Sequence, residues 1–178
     1  MVRRRLFRWE AAGFVFVGIL GVLLHFAYEW SGGNGLMGAF SAVNESIWEH
    51  MKLFFFSMAL FSVVQFFLTG QNYPNFLAVR AVSLLAGVAL IPVLFYTYSG
   101  VLGRSVDWVN IAIYFVVSLA AFGLDHWLLR QGVLFGPWKQ LLGLGALWLA
   151  AFLFIWCTWH PVELPLWQDP ITGTYGIV

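Results

Sequence analysis

The chain has 178 residues, 61% of them hydrophobic and only 10% charged, and a formal net charge of +1. Soluble domains carry about 25% charged residues, so an ordinary soluble enzyme does not fit, and so small a net charge gives no argument for nucleic-acid binding. The one cysteine, Cys157, excludes an intrachain disulfide and a cysteine-based metal cluster.

A hydrocarbon core about 30 Å thick takes about 20 apolar residues to cross as a helix. The sequence predicts five such spans, at about residues 11–30, 45–68, 76–98, 108–130 and 141–159, followed by a tail at 160–178. The expected fold is an all-α polytopic membrane bundle forming a single membrane domain, residues 1–178. Arg3, Arg4, Arg5 and Arg8 precede the first apolar run. That run is too long for a signal-peptide core, so the segment reads as a first span with a basic flank. Gly18, Gly21, His25 and Glu29 then recur at helical spacing on one stripe. His25 and Glu29 are either an i,i+4 pair closing the helix or part of a functional group.

Ser31-Gly32-Gly33-Asn34-Gly35 is turn chemistry. The apolar stretch 36–43 either lies in the membrane interface or dips into the protein. Residues 44–52 then place Glu45, Glu49, His50 and Lys52 directly before a long apolar run. Ionisable groups at a membrane helix are costly and commonly mark a site. Each also has a structural explanation. Asn44 is a suitable N-cap, Ser46 and Glu49 match a capping box, and Glu49 and Lys52 can pair at i,i+3. Gln65, near the other end of this span, is expected to make a helix–helix hydrogen bond.

In the third span Arg80 is expected to snorkel from the inner end, and Pro92 to kink the helix. Tyr96 and Tyr98 end the span in an aromatic edge. In the fourth, Asn110, Tyr114, Ser118 and Asp125 share a stripe. Asp125 either pairs with Arg130 or Lys139 at the interface or, with His126, serves a proton relay. Pro161 ends the fifth span. The tail, with Trp167 and the turn-like Asp169-Pro170-Ile171-Thr172-Gly173, is expected to form an ordered cap.

Five spans put the termini on opposite sides. With the N-terminus cytoplasmic and the C-terminus extracytoplasmic, seven basic residues fall inside (Arg3, Arg4, Arg5, Arg8, Arg80, Arg130, Lys139) and two outside (Lys52, Arg104), as the positive-inside rule asks. The same orientation gathers three of four histidines and six of eight carboxylates at the outer face. Candidate ligand-binding residues there are His25, Glu29, Glu45, Glu49, His50, Lys52 and Tyr96.

A His/Glu set without cysteine suits a divalent metal such as zinc, and His25, Glu49, His50 and His160 are the candidate ligands. Glu49 and His50 are adjacent, however, and point about 100° apart on a helix. The expected function is an outer-face polar pocket for a small ligand or divalent metal, with hydrolysis as its chemistry. Two alternatives stand beside it: a structural or accessory membrane protein, and a small-solute or proton-coupled transporter. The absence of an inverted repeat argues against transport by a monomer, although a homo-oligomer could line a pore. The expected partner is the lipid bilayer, with no nucleic acid.

The segments His25-Phe26-Ala27-Tyr28-Glu29-Trp30-Ser31-Gly32, Asn44-Glu45-Ser46-Ile47-Trp48-Glu49-His50-Met51-Lys52-Leu53, Phe95-Tyr96-Thr97-Tyr98-Ser99-Gly100 and Asp169-Pro170-Ile171-Thr172-Gly173-Thr174-Tyr175-Gly176-Ile177 carry a resemblance. Nearly the whole chain resembles a family of small bacterial integral membrane proteins classed as a domain of unknown function. The Asn-Glu-Ser-x-Trp-Glu-His segment is its most specific part. The resemblance implies a multi-pass protein of the cell membrane and assigns no catalytic residue.

Overall fold

The computed structural model describes residues 2–177, with side chains from Arg4 onward. The side chain of Arg3, counted above in the basic flank, lies outside that description. Among the described residues there are six α-helices and no β-strand. They are α1 (Val2–Trp30), α2 (Gly35–Gly38), α3 (Ile47–Leu68), α4 (Phe76–Leu102), α5 (Asp107–Gln131) and α6 (Pro137–Trp159). All but α2 are long and apolar enough to cross a membrane. Even α3, with 22 residues, rises about 33 Å, enough for a core about 30 Å thick.

The helices overrun several expected boundaries. The basic flank is itself helical, so α1 extends well before residue 11 and Glu10 lies inside it, buried. α4 continues past residue 98 to Leu102, and α6 begins at Pro137. Pro92 sits within a helix that runs on through it.

Local chemistry sets the ends. Gly32 and Gly33 take positive φ after α1, and their amides bond back to the carbonyls of Glu29 and Tyr28, satisfying helix-end acceptors. Ser46, not Asn44, is the N-cap of α3: its Oγ accepts the Glu49 amide at 3.3 Å. Asn44 supports that cap by accepting the Ser46 amide at 2.9 Å. Only half of the expected capping box forms, because the Glu49 carboxylate accepts from the Val43 amide instead.

α1, α3, α4 and α5 pack in a closed ring, each against the next, and α6 lies outside it, mainly along α4. That outer contact is backbone on backbone: a Cβ at Gly143 would stand 2.8 Å from Ala78 Cα. Inside the ring, Phe54, Met58 and Phe61 of α3 meet Val117 and Phe122 of α5 in one buried cluster. Of the two readings of 36–43, the protein interior prevails for its second half. Gly38, Ala39, Ser41 and Ala42 are buried, while Leu36 stays exposed.

The tail is pinned across one end of the ring. The Trp48 amide donates to Leu166 O at 3.0 Å, and the Trp167 indole stacks on Trp48 with ring centroids 4.5 Å apart. Asn44 Nδ2 donates to Gly176 O at 3.2 Å. Asp169 closes its own turn by accepting from the Ile171 amide and the Thr172 hydroxyl.

Candidate functional site

At the tail-covered end, three elements deliver three side chains to one point. His25 comes from the last turns of α1, Glu45 from the segment before α3, and His50 from the first turn of α3. Glu45 Oε1 lies 3.5 Å from His25 Nε2, and its Oε2 lies 3.7 Å from His50 Nε2. The donor atoms of all three residues fall within 4.8 Å of one another.

The His50 tautomer follows from its other nitrogen. Nδ1 is 2.8 Å from Ser46 O. A carbonyl only accepts, so Nδ1 carries the hydrogen, and in the neutral ring Nε2 presents its lone pair toward Glu45. Ligating histidines are typically oriented in this way by a carbonyl or carboxylate behind them. Two ligands about 2.1 Å from a tetrahedral zinc stand about 3.4 Å apart. The two measured His–Glu separations are close to that value.

A cavity of about 560 Å³ opens beside the group. Its polar wall is His25, Glu45, His50, Ser105, Asp107 and Asn110; Pro170 and Ile171 of the tail close one side. An adjoining smaller cavity brings Tyr96 alongside Glu45 and His50. Between the helices, Gly21 of α1 leaves room for the Tyr114 ring, whose hydroxyl donates to Val17 O at 3.0 Å.

Several expected members are elsewhere. Glu49 turns away from His50, as the helical angle required. It forms a buried pair with Lys52, Oε2 to Nζ 2.5 Å. Lys52 Nζ also donates to Gly38 O at 2.8 Å and to Thr158 Oγ1 at 3.0 Å. This ammonium is fully enclosed and all of these contacts are internal, so neither Lys52 nor Glu49 faces the cavity. Glu45 therefore stands where Glu49 was expected among the metal candidates. His160, just past the end of α6, stacks on Trp156 of that helix, centroids 4.0 Å apart, and does not join the group. Glu29 is exposed and forms none of the ion pairs among the described residues; His25 has turned from it to Glu45.

The opposite end of the ring holds a second cluster. Arg80 Nη2 donates to Gln65 Oε1 at 2.6 Å and lies 3.2 Å from Asp125 Oδ2 and 3.8 Å from Glu10 Oε2. Gln65 Nε2 donates to Glu10 Oε1 at 2.9 Å, the helix–helix bond expected of it. Phe76 and Phe122 flank the guanidinium. Arg80 thus does not snorkel: its side chain is 1% exposed, held by carboxylates that would otherwise be buried without a cation. Asp125 pairs with Arg80 rather than with Arg130 or Lys139. His126 packs edge-on against Phe7 and is separate from this network.

The expected membership missed Glu10 here and did not count Glu45 among the metal candidates. A signal for Glu10 existed. Counting back along the α1 stripe from His25 through Gly21, Val17 and Gly13 leads to it at helical spacing.

A family model described as "Family of unknown function (DUF6512)" matches residues 2–177. No curated protein and no solved structure matches the chain.

Proposed function

We propose, for a chain that belongs to this family of unknown function, a multi-pass protein of the cell membrane with a metal centre at its extracytoplasmic end. The N-terminus is cytoplasmic and the C-terminus extracytoplasmic, because that orientation keeps most arginines inside. His25, Glu45 and His50 hold a divalent ion, zinc by donor type. The observation that carries this reading is the convergence of two imidazole Nε2 atoms on one carboxylate, with the far side of His50 already engaged by Ser46 O. Three protein ligands beside a cavity leave a coordination position open, the arrangement of catalytic rather than structural zinc. An ion there would acidify a bound water and polarise a substrate oxygen, which makes hydrolysis the supported chemistry.

Metal analysis of the purified full-length chain tests the reading. We expect about one zinc per chain, lost in His25→Ala, Glu45→Ala and His50→Ala and retained in His160→Ala. A wild-type chain that takes up no divalent metal on reconstitution would overturn it.

Transport is less well supported. The two polar clusters are separated by Phe54, Met58, Phe61, Val117, Ala121 and Phe122, all buried in one apolar layer. A hydrated route would have to break that layer.

A further inference from the structure

The chemistry of the cavity walls says what the proposed metal centre would meet. Away from the polar wall that His25, Glu45, His50, Ser105, Asp107 and Asn110 form, the 560 Å³ cavity is walled by Val22, Phe26, Leu53, Ile111 and Phe115. Small-molecule sites occupy about 300–1,000 Å³, so this space suits a head group and the start of a chain. Val22 is 51% and Ile111 61% exposed. The apolar wall therefore continues sideways, along α1 and α5, onto helix faces that meet lipid in a five-span protein. A site for a small water-soluble solute would not need an apolar side exit, because apolar surface favours hydrocarbon over water.

Charge selects the head group. A divalent ion on two neutral imidazoles and one carboxylate carries a net charge of about +1 and takes an anionic oxygen as its next ligand, while the Asp107 carboxylate on the same wall favours hydroxyls or an ammonium on the rest of the head group over a second anion. We propose that the site takes a phospholipid from the bilayer, its phosphate at the His25–Glu45–His50 metal and one acyl chain between α1 and α5. This inference rests on the metal reading, and its test separates the two.

The experiment uses the full-length zinc-loaded chain in detergent. Zinc content is measured alongside the binding of palmitoyl-oleoyl phosphatidylglycerol by native mass spectrometry. Glycerol phosphate, the same anion without chains, is the comparison probe. Ile111→Trp and, independently, Val22→Trp fill the apolar wall at exposed positions and leave the three ligands intact. We expect either to weaken phospholipid binding at least ten-fold with zinc stoichiometry unchanged. Leu119→Trp, exposed on α5 but not lining the cavity, should bind as the wild type does. Chelating the zinc should weaken phospholipid binding as much as the wall variants do.

Zinc retained, with phospholipid binding indifferent to both wall variants, would overturn this inference alone. So would glycerol phosphate binding as tightly as the phospholipid, which would make the ligand a soluble anion. A wild-type chain without zinc would overturn the metal reading, and this inference with it.

Discussion

Lys52 and Glu49 show how a charged residue can be spent on architecture. Their side chains are 0% and 2% exposed, and the ammonium also holds the Gly38 carbonyl and Thr158. It thereby ties the 31–46 segment and α6 to α3. Removing one partner leaves an uncompensated buried charge, which costs about 3–5 kcal/mol. Lys52→Met and Glu49→Gln should each fall in that range by unfolding in detergent micelles. The double variant Glu49→Leu/Lys52→Met should lose less than the sum, because it leaves neither charge stranded. At the other end, Arg80→Met strands two carboxylates, whereas Asp125→Asn leaves Glu10 paired with Arg80. The arginine variant should be the less stable of the two in the same assay. The i,i+3 spacing of Glu49 and Lys52 was legible in the sequence. That the pair is closed, and that Glu45 rather than Glu49 turns to the histidines, depends on side-chain directions that adjacency leaves open.

At the scale of elements, α6 is the least embedded of the five long helices, held mainly against α4. Two glycines on it make opposite predictions. A side chain at Gly143 would run into the α4 backbone at Ala78 Cα and Leu77 O, which cannot step aside as a flexible side chain would. Gly143→Leu should therefore lower the unfolding midpoint and expose the 132–136 turn to protease. Gly145 has open space around its Cβ position. Gly145→Ala should be neutral or raise stability by about 0.5–1 kcal/mol, as expected in a helix interior. The five long helices were readable from apolar length. Their true starts were less so: α1 continues through the charged residues that precede the first apolar run, and charge alone does not stop a helix.

For the whole molecule, the proposed orientation is the premise on which the extracytoplasmic metal centre rests. A periplasm-active reporter fused at the C-terminus should be active, and one fused at the N-terminus silent. The reverse pattern would place His25, Glu45 and His50 on the cytoplasmic side and remove the positive-inside argument. Span order put His25, Glu45 and His50 at one end of the bundle and Gln65, Arg80 and Asp125 at the other. The structure has these two groups at opposite ends, and they differ in character. The Glu45 end opens to a cavity; the Arg80 end is sealed.

Composition and apolar run length determined by themselves that the chain is all-α with five helices able to cross a membrane. The reason is that an unpaired backbone in hydrocarbon is too costly for any other open form. The turn glycines and Ser46 likewise marked where helices stop and start. Only the tertiary structure decided which carboxylate serves which partner. Glu10, Glu45, Glu49 and Asp125 are equivalent in chemistry, and what distinguishes them is the neighbour each one meets. That is set by helix rotation and by ring closure of α1, α3, α4 and α5, which bring together residues as far apart as Glu10 and Asp125, or His25 and Ile171.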